Sequence, residues 1–318
     1  MSNLEQHPIT YLDIPAEKAG QRIDNFLHTY LKGVPKSHVY RILRTGQVRI
    51  NKKRIKPTYR LLAGDRLRVP PIQIKPLTLP ILNTNRKQAL TNSILYEDSF
   101  LLVLNKPAGM AVHGGSGISA GVIESLRVLY PNAPYLELVH RLDRETSGCL
   151  MIAKKRSMLR RLHTLLRDGD IYKQYITLVQ GHWNPRKTEV KAPLRKNVLQ
   201  SGERIVRVCS DGKTAITKFH IIQQFTNTSL LQIQLKTGRT HQIRVHAAHE
   251  GHPIAGDNKY GDKDFNQQMR KLTLKNLFLH AEKLVIDLPE IDYHLTINAP
   301  LPANLQRILT NFKLTLKK

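Results

Sequence analysis

Cysteine is scarce in this chain, and long apolar runs are missing. The two cysteines, Cys149 and Cys209, are too few for a disulfide framework or a four-thiolate zinc site. No apolar stretch is long enough for a membrane-spanning helix, and the amino terminus carries acidic residues where a signal peptide has its apolar core. We therefore expect a cytoplasmic protein without membrane contact, in which Cys149 is a small buried residue.

Acidic residues are also scarce relative to basic ones. The 318 residues include 50 Lys or Arg against 24 Asp or Glu, which gives a net charge of +26. A surplus of this size predicts a strongly positive field and a polyanionic partner, and nucleic acid is the commonest such partner of soluble proteins. Because the chain is longer than one hydrophobic core usually supports, two domains are expected.

Basic residues are concentrated between residues 20 and 70, where thirteen Lys or Arg accompany only two acidic residues. Apolar residues at helical spacing predict helices near residues 23–31 and 39–43. Alternating residues after Gly46 predict short strands near 48–51 and 65–69. We therefore predict a small α/β domain over 20–70, a tail over 1–19 before it, and a Pro-rich extended linker over 71–92 after it.

The remaining residues, 93–318, show many short strand patterns and few helical ones. Strands are predicted near 94–104, 150–153, 171–179, 215–225 and 229–236, helices near 120–130 and 155–167, and an inserted loop or hairpin over 184–213. Strands that do not alternate regularly with helices are typical of an α+β domain.

The most informative stretch is HRLDRETSG at residues 140–148. It places Asp143 between Arg141 and Arg144 and ends at Gly148. Neighbouring cations favour the charged form of a carboxylate, which suits an aspartate to nucleophilic chemistry. The same residue types also build ordinary turns, helix caps and ion pairs, so the pattern alone leaves both interpretations open.

This stretch resembles the active-site motif of the RluA-type pseudouridine synthases, in which the aspartate of HRLD is catalytic. Three other stretches resemble motifs of that family and occur in the family's order: NKPAGMAVHGG, KQYITLVQG and TGRTHQIRVH. The segment over 20–70 is similar to the S4-like RNA-binding domain. Within the family, the similarity is greatest to the large ribosomal subunit group designated C.

The resemblance implies roles for individual residues. Asp143 would be the catalytic carboxylate, Tyr175 would lie in the uracil pocket, and Arg244 would pair with Asp143. Substrate or RNA contacts are implied for Arg141, Arg239, His241, Lys106 and His113 in the catalytic domain, and for Lys36, Ser37, Arg41, Arg44 and Arg49 in the S4-like domain.

The implied fold is α+β, with a catalytic domain over 93–318 built on a mixed, mainly antiparallel central sheet flanked by helices. The implied activity is the isomerisation of specific uridines in 23S ribosomal RNA, free or in a large-subunit assembly intermediate, by a monomer that needs no cofactor and no metal. The histidines at 241, 246, 249 and 252 match no metal-site spacing.

Two other functions stay open from the residues alone. A non-catalytic RNA-binding ribosome assembly factor would use the same basic surface without needing Asp143. A metal-dependent RNA nuclease would cleave strands and would be inhibited by a chelator.

Overall fold

The structure of the chain is a computed structural model, which describes residues 5–31, 34–74, 82–114, 120–198 and 204–315. Two compact units divide the chain, the first over Met1–Leu79 and the second over Pro80–Lys318. In the described ranges, no helix combines the length and the apolarity needed to cross a membrane.

The first unit combines two short helices with a small antiparallel sheet. Its elements are β1 (Glu5–His7), β2 (Thr10–Asp13), α1 (Ile23–Tyr30), α2 (Lys36–Arg44), β3 (Arg49–Ile50), β4 (Lys53–Arg54), β5 (Arg66–Val69) and β6 (Ile72–Ile74). The sheet has the order β2, β5, β3, β4. Ile23 and Leu27 of α1 share a buried core with Ile42 and Leu43 of α2, which explains why apolar spacing predicted both helices.

Part of the segment predicted as a tail over residues 1–19 forms strands, namely β1 and β2. Strand β2 pairs with β5, where Leu12 lies opposite Leu67, and β1 pairs with β6. Ile9 and Tyr11 remain exposed, so the apolar residues of this segment do not mark one buried face. Its partners lie far along the chain, and local sequence patterns do not encode such pairings.

The second unit contains the remaining elements. They are α3 (Thr84–Thr91), β7 (Ile94–Glu97), β8 (Leu101–Lys106), α4 (Val122–Leu129), β9 (Glu137–Leu138), β10 (Ser147–Ala153), α5 (Arg156–Asp168), β11 (Tyr172–Gln180), β12 (Glu189–Lys191), β13 (Leu194–Val198), β14 (Arg204–Val208), β15 (Ile216–Gln224), β16 (Thr228–Leu235), α6 (Gln242–His249), α7 (Lys263–Lys271), β17 (Leu279–Leu288), β18 (Tyr293–Asn298) and α8 (Ala303–Thr315). Most predicted strands and both predicted helices are confirmed to within a few residues.

One large sheet organises this unit. Its strands follow the order β12, β15, β16, β11, β17, β10, β8, β7, while β18 pairs with β17 and β9 pairs with β10. Strands β10 and β17 are parallel, whereas β11 is antiparallel to both of its neighbours, β16 and β17. The predicted α+β fold with a mixed, mainly antiparallel sheet is confirmed.

Both faces of the sheet are covered, as the central strand β11 shows. Successive residues of a strand point to opposite faces. Tyr175 and Val179 belong to the larger core, which includes buried residues of α4, α5 and α6. Ile176 and Leu178 belong to a second cluster, which includes residues of α7 and α8. The face that carries Tyr175 is therefore the face over which α5 and α6 lie.

The extended linker predicted over 71–92 is wrong where the structure describes it, because β6 pairs with β1 and helix α3 follows. The side-chain oxygen of Asn83 accepts a hydrogen bond from the backbone N–H of Arg86 at 2.9 Å and so caps α3. Leu90 is the buried residue of this helix. With so little apolar surface to bury, the helix has no periodicity that the sequence could reveal. Residues 75–81 lie outside the described residues.

Candidate active site

The central motif lines a cleft of about 680 Å³ in the second unit. The other walls come from one side of α5, from β11 and from the segment that leads from β16 into α6. The side chain of Asp143 is 16% exposed. A carboxylate in a concave site of this size is placed where a ligand can reach it.

Gly148 fixes the loop that carries Asp143 to the central sheet. Its φ angle is +106°, and a Cβ atom at this position would overlap the backbone of Ala281 on β17. A side chain is therefore excluded. The parallel pairing of β10 with β17 includes Ser147 and Gly148, so the loop leaves the sheet directly before these residues.

Arg244 and Asp143 come from distant parts of the chain and meet in the cleft. Nη1 of Arg244 lies 3.2 Å from Oδ2 of Asp143. The Arg244 side chain, on the first turn of α6, is only 10% exposed. The predicted pairing of these two residues is present in the structure.

Asp257 holds Arg244 in place, and sequence reasoning missed it. Nε and Nη2 of Arg244 donate to the two carboxylate oxygens of Asp257, each at 2.8 Å, and Asp257 is buried. Burial alone would lower the pKa of Arg244, but the hydrogen bond and charge of Asp257, with the charge of Asp143, raise it. Burial would likewise raise the pKa of Asp257, but the hydrogen bond and charge of Arg244 lower it overall. This bidentate pair fixes the Arg244 guanidinium in the position from which it contacts Asp143.

His241 and Tyr260 complete this wall of the cleft. His241, which caps α6 with a left-handed φ of 54°, has Nε2 3.8 Å from Oδ2 of Asp143. Its Nδ1 lies 2.7 Å from the hydroxyl of Tyr260. The centroid of the Tyr260 ring lies 5.0 Å from Cζ of the Arg244 guanidinium. Burial and the charge of Arg244 lower the pKa of His241, although the charge of Asp143 opposes them. The imidazole is therefore neutral at neutral pH.

The two arginines beside Asp143 in the sequence do not surround its carboxylate. Nε of Arg144 donates to the carbonyl of Gly109 at 3.0 Å, and Arg141 is an exposed residue on the cleft wall. Within the described residues neither arginine forms an ion pair with Asp143, although Arg141 lines the same cleft. Arg239 also lines the cleft, and its Nε donates to the carbonyl of Thr214 at 3.0 Å.

Tyr175 lies on β11 and faces the cleft while it is almost fully buried. Burial raises the pKa of its hydroxyl, and the charge of Asp143 raises it further. The phenol therefore keeps its proton at neutral pH. It can present a flat apolar ring to a base and donate a hydrogen bond.

Two residues expected at the substrate lie elsewhere. Lys106 is completely buried, and its Nζ donates to the carbonyls of Pro107, Met110 and Arg144 at 2.9, 2.9 and 3.1 Å. It ties the NKPAGM turn to the Asp143 loop and does not line the cleft. His113 is exposed with Nδ1 3.0 Å from the carbonyl of Gly114, also away from the cleft lining.

The cations predicted to contact RNA in the first unit are exposed. Arg41 and Arg44 lie on α2 and Arg49 on β3, and Ser37 is exposed near the start of α2. The side chain of Lys36 lies outside the described part of the chain. Within the parts that the structure describes, no carboxylate pairs with Arg41 or Arg44, so their charge is available to a polyanion.

Metal binding has no visible basis in the described ranges, where no three His, Cys, Asp or Glu side chains form a group able to hold an ion. His246, one of the four histidines considered, is buried with Nδ1 2.8 Å from the Thr217 hydroxyl and Nε2 2.9 Å from the Ala192 carbonyl. Its two nitrogens serve the packing of α6. The chemistry of the cleft therefore centres on a carboxylate, a guanidinium and a phenol.

Comparisons with known proteins point to one family. Residues 100–249 match the family model described as RNA pseudouridylate synthase, and residues 21–67 match the S4 domain. The chain is 54% identical over 303 residues to a ribosomal large subunit pseudouridine synthase C from Pasteurella multocida, covering 95% of this chain and 93% of the relative. It is 51% identical over 313 residues to the protein of that name from Escherichia coli strain K12, covering 97% and 98%.

Solved structures agree with these matches. Human RNA Pseudouridylate Synthase Domain Containing 4 superposes with a TM-score of 0.58 at 28% identity, over 71% of this chain and 95% of that one. The superposed part of this chain is about as long as the second unit. Both units thus have counterparts among known proteins.

Proposed function

The chain belongs to the RNA pseudouridylate synthase family, and from this premise we propose that it isomerises specific uridines of 23S ribosomal RNA to pseudouridine. Relatives named ribosomal large subunit pseudouridine synthase C match this chain over nearly their full length. The observation that carries the catalytic assignment is the contact of Asp143 with Arg244 at 3.2 Å inside the cleft.

The reaction requires a uridine to leave its stack. A base inside a helix cannot be reached, so the nucleotide turns out into a pocket at a cost of a few kcal/mol. Loops and bulges of folded RNA are the easiest places to open. The cleft beside Asp143 and Tyr175 receives this nucleotide, and the Tyr175 ring offers a surface for the uracil to stack on.

Asp143 performs the chemistry. Its carboxylate attacks carbon 1 of the ribose, attacks carbon 6 of the uracil, or removes a proton in a glycal route, and in each case one oxygen must face the nucleotide. Arg244 holds the other side of the carboxylate and is itself fixed by Asp257. The uracil then turns and rejoins the ribose through carbon 5. The hydrogen of carbon 5 leaves as a proton and nitrogen 1 takes up a proton, so the product has the same composition as the substrate.

The first unit positions the enzyme on RNA. Phosphate contacts from Lys and Arg hold and orient RNA without reading its sequence. The exposed Arg41, Arg44 and Arg49 supply such contacts. In this proposal the protein acts as a monomer in the cytoplasm and needs no cofactor.

The test measures tritium release from ribosomal RNA that is labelled at carbon 5 of its uridines. We expect the parent protein to release tritium and Asp143→Asn to release none while it binds the RNA equally well. Asp264→Asn, which changes an exposed acid on α7, is the matched control and should keep parental activity. A parent that binds RNA without releasing tritium would instead indicate an assembly factor, and turnover by Asp143→Asn would reject the catalytic assignment.

A further inference from the structure

A buried lysine faces the cleft without a partner. The Lys173 side chain, near the start of β11, lines the cleft and is only 8% exposed. Throughout the described ranges of the second unit, its ammonium has no hydrogen bond or ion pair. Burial lowers the pKa of Lys173, and its charge in turn disfavours protonation of the nearby His140. An ammonium that is largely removed from water and has no partner costs free energy, so a ligand that pairs with it in the cleft would be favoured.

The position of Lys173 limits what that ligand can be. Lys173 and Tyr175 are two residues apart on one strand and line the same cleft, so they lie about 7 Å apart along the sheet. Asp143 lines the same cleft as Tyr175, and its charge raises the pKa of the phenol. Asp143, Tyr175 and Lys173 thus line one cleft. A phosphate stays with the RNA backbone outside, whereas a base enters far enough to reach a buried ammonium.

We propose that Lys173 donates a hydrogen bond to a carbonyl oxygen of the uracil in the cleft and stabilises the negative charge that the ring acquires during the reaction. This inference rests on the proposed function. It assigns Lys173 as a further catalytic residue that contacts the substrate.

The charge arises whichever route Asp143 follows. When the bond between ribose carbon 1 and uracil nitrogen 1 breaks, its electron pair leaves with the uracil and spreads onto the two carbonyl oxygens. When the Asp143 oxygen adds to carbon 6 instead, the electron pair of the carbon 5–carbon 6 double bond moves onto the carbonyl at carbon 4. The ammonium keeps its proton and donates only a hydrogen bond. Because the acceptor is more negative in the transition state than in the bound substrate, the contact accelerates turnover more than it strengthens binding.

The experiment compares Lys173→Met with Lys173→Arg and the parent on a transcript of 23S ribosomal RNA with tritium at carbon 5 of its uridines. Single-turnover rates at saturating enzyme, RNA affinity and thermal unfolding are measured for each protein. Lys218→Met removes an exposed lysine from strand β15 and controls for the loss of one positive charge.

We expect Lys173→Met to turn over about 10²–10³-fold more slowly, the usual effect of removing one donor to a developing anion. Its RNA affinity should stay within a few-fold of the parent, and its unfolding temperature should be unchanged or higher because an unpaired buried charge is gone. Lys173→Arg should recover part of the rate, and Lys218→Met should match the parent.

Near-parental turnover by Lys173→Met would overturn the inference. So would a loss confined to RNA affinity, which would indicate a phosphate contact, or a loss of turnover that follows a lowered unfolding temperature, which would indicate a structural residue. Failure of the proposed function has a different signature, since the parent itself would then release no tritium.

Discussion

Replacing Asp257 by Asn tests whether Arg244 is held by a buried ion pair. Asp257 accepts two 2.8 Å hydrogen bonds from Arg244, and one of its oxygens also accepts from the backbone N–H groups of Lys259 and Tyr260. The oxygen of an asparagine would stay with these backbone donors. Its NH₂ group would then face the N–H of Arg244 Nε, so a donor would meet a donor.

The expected loss of stability is large. The side chains of Arg244 and Asp257 are 10% and 0% exposed, and removing one partner from such a buried pair costs about 3–5 kcal/mol because the other charge stays uncompensated. The contact of Arg244 with Asp143 is longer, at 3.2 Å, and Asp143 is more exposed. Asp143→Asn should therefore lower the free energy of unfolding by less than Asp257→Asn does.

The assay pairs calorimetric unfolding with single-turnover tritium release below the unfolding temperature of each variant. We expect Asp257→Asn to be strongly destabilised and about 10²-fold slower, because small displacements of a catalytic group have effects of that size. Asp143→Asn should be nearly as stable as the parent and inactive. Equal stability of Asp257→Asn and the parent would refute the reasoning, since it would mean that the pair does not hold Arg244.

Three further predictions concern the surroundings of the site. Lys106→Met removes three hydrogen bonds and leaves the carbonyls of Pro107 and Met110 without the buried ammonium, while that of Arg144 keeps the backbone N–H of Gly109. It should lower the free energy of unfolding by about 2–4 kcal/mol in denaturant titrations; an unchanged midpoint would contradict the structural role of Lys106. His140 accepts a hydrogen bond at Nε2 from the backbone N–H of Met151 at 3.1 Å, and burial, then the charge of Lys173, lower its pKa. As pH falls below about 6.5, His140 gains a proton in the unfolded chain but stays neutral in the folded chain, so the free energy of unfolding should decline toward acid pH. It should decline less steeply in His140→Gln. Parallel pH profiles of the two proteins would argue against a neutral His140. Gly148→Ala should destabilise the protein because its Cβ would overlap the backbone of β17, whereas Gly238→Ala, which has open space and no left-handed φ, should be tolerated; similar unfolding temperatures for the two variants would be the contrary result.

Sequence patterns predicted the elements that bury a clear apolar stripe. Helix α5 shows this, since Met158 and Leu162 are buried at helical spacing. Helix α3 was missed because it buries only Leu90, and β2 was missed because its partner strand is distant in sequence. Local patterns carry information about what a segment buries and little about what it pairs with.

The residues of the site likewise divide into those that sequence motifs identified and those that they did not. The motifs identified Asp143, Tyr175 and Arg244 as residues to bring together, and the structure places all three at one cleft. The motifs did not indicate Asp257, which lies in a loop directly after Gly256. They also did not indicate that Lys106 is buried. Whether a charged side chain faces a substrate or three backbone carbonyls depends on tertiary packing, which a motif does not record.

The most direct measurement is a map of pseudouridine in the 23S ribosomal RNA of cells that lack this protein and are complemented with either the parent or Asp143→Asn. We expect specific uridines to regain pseudouridine with the parent and to stay unmodified with the variant at equal protein abundance. Restoration by Asp143→Asn would contradict the assignment of its carboxylate as the catalytic group.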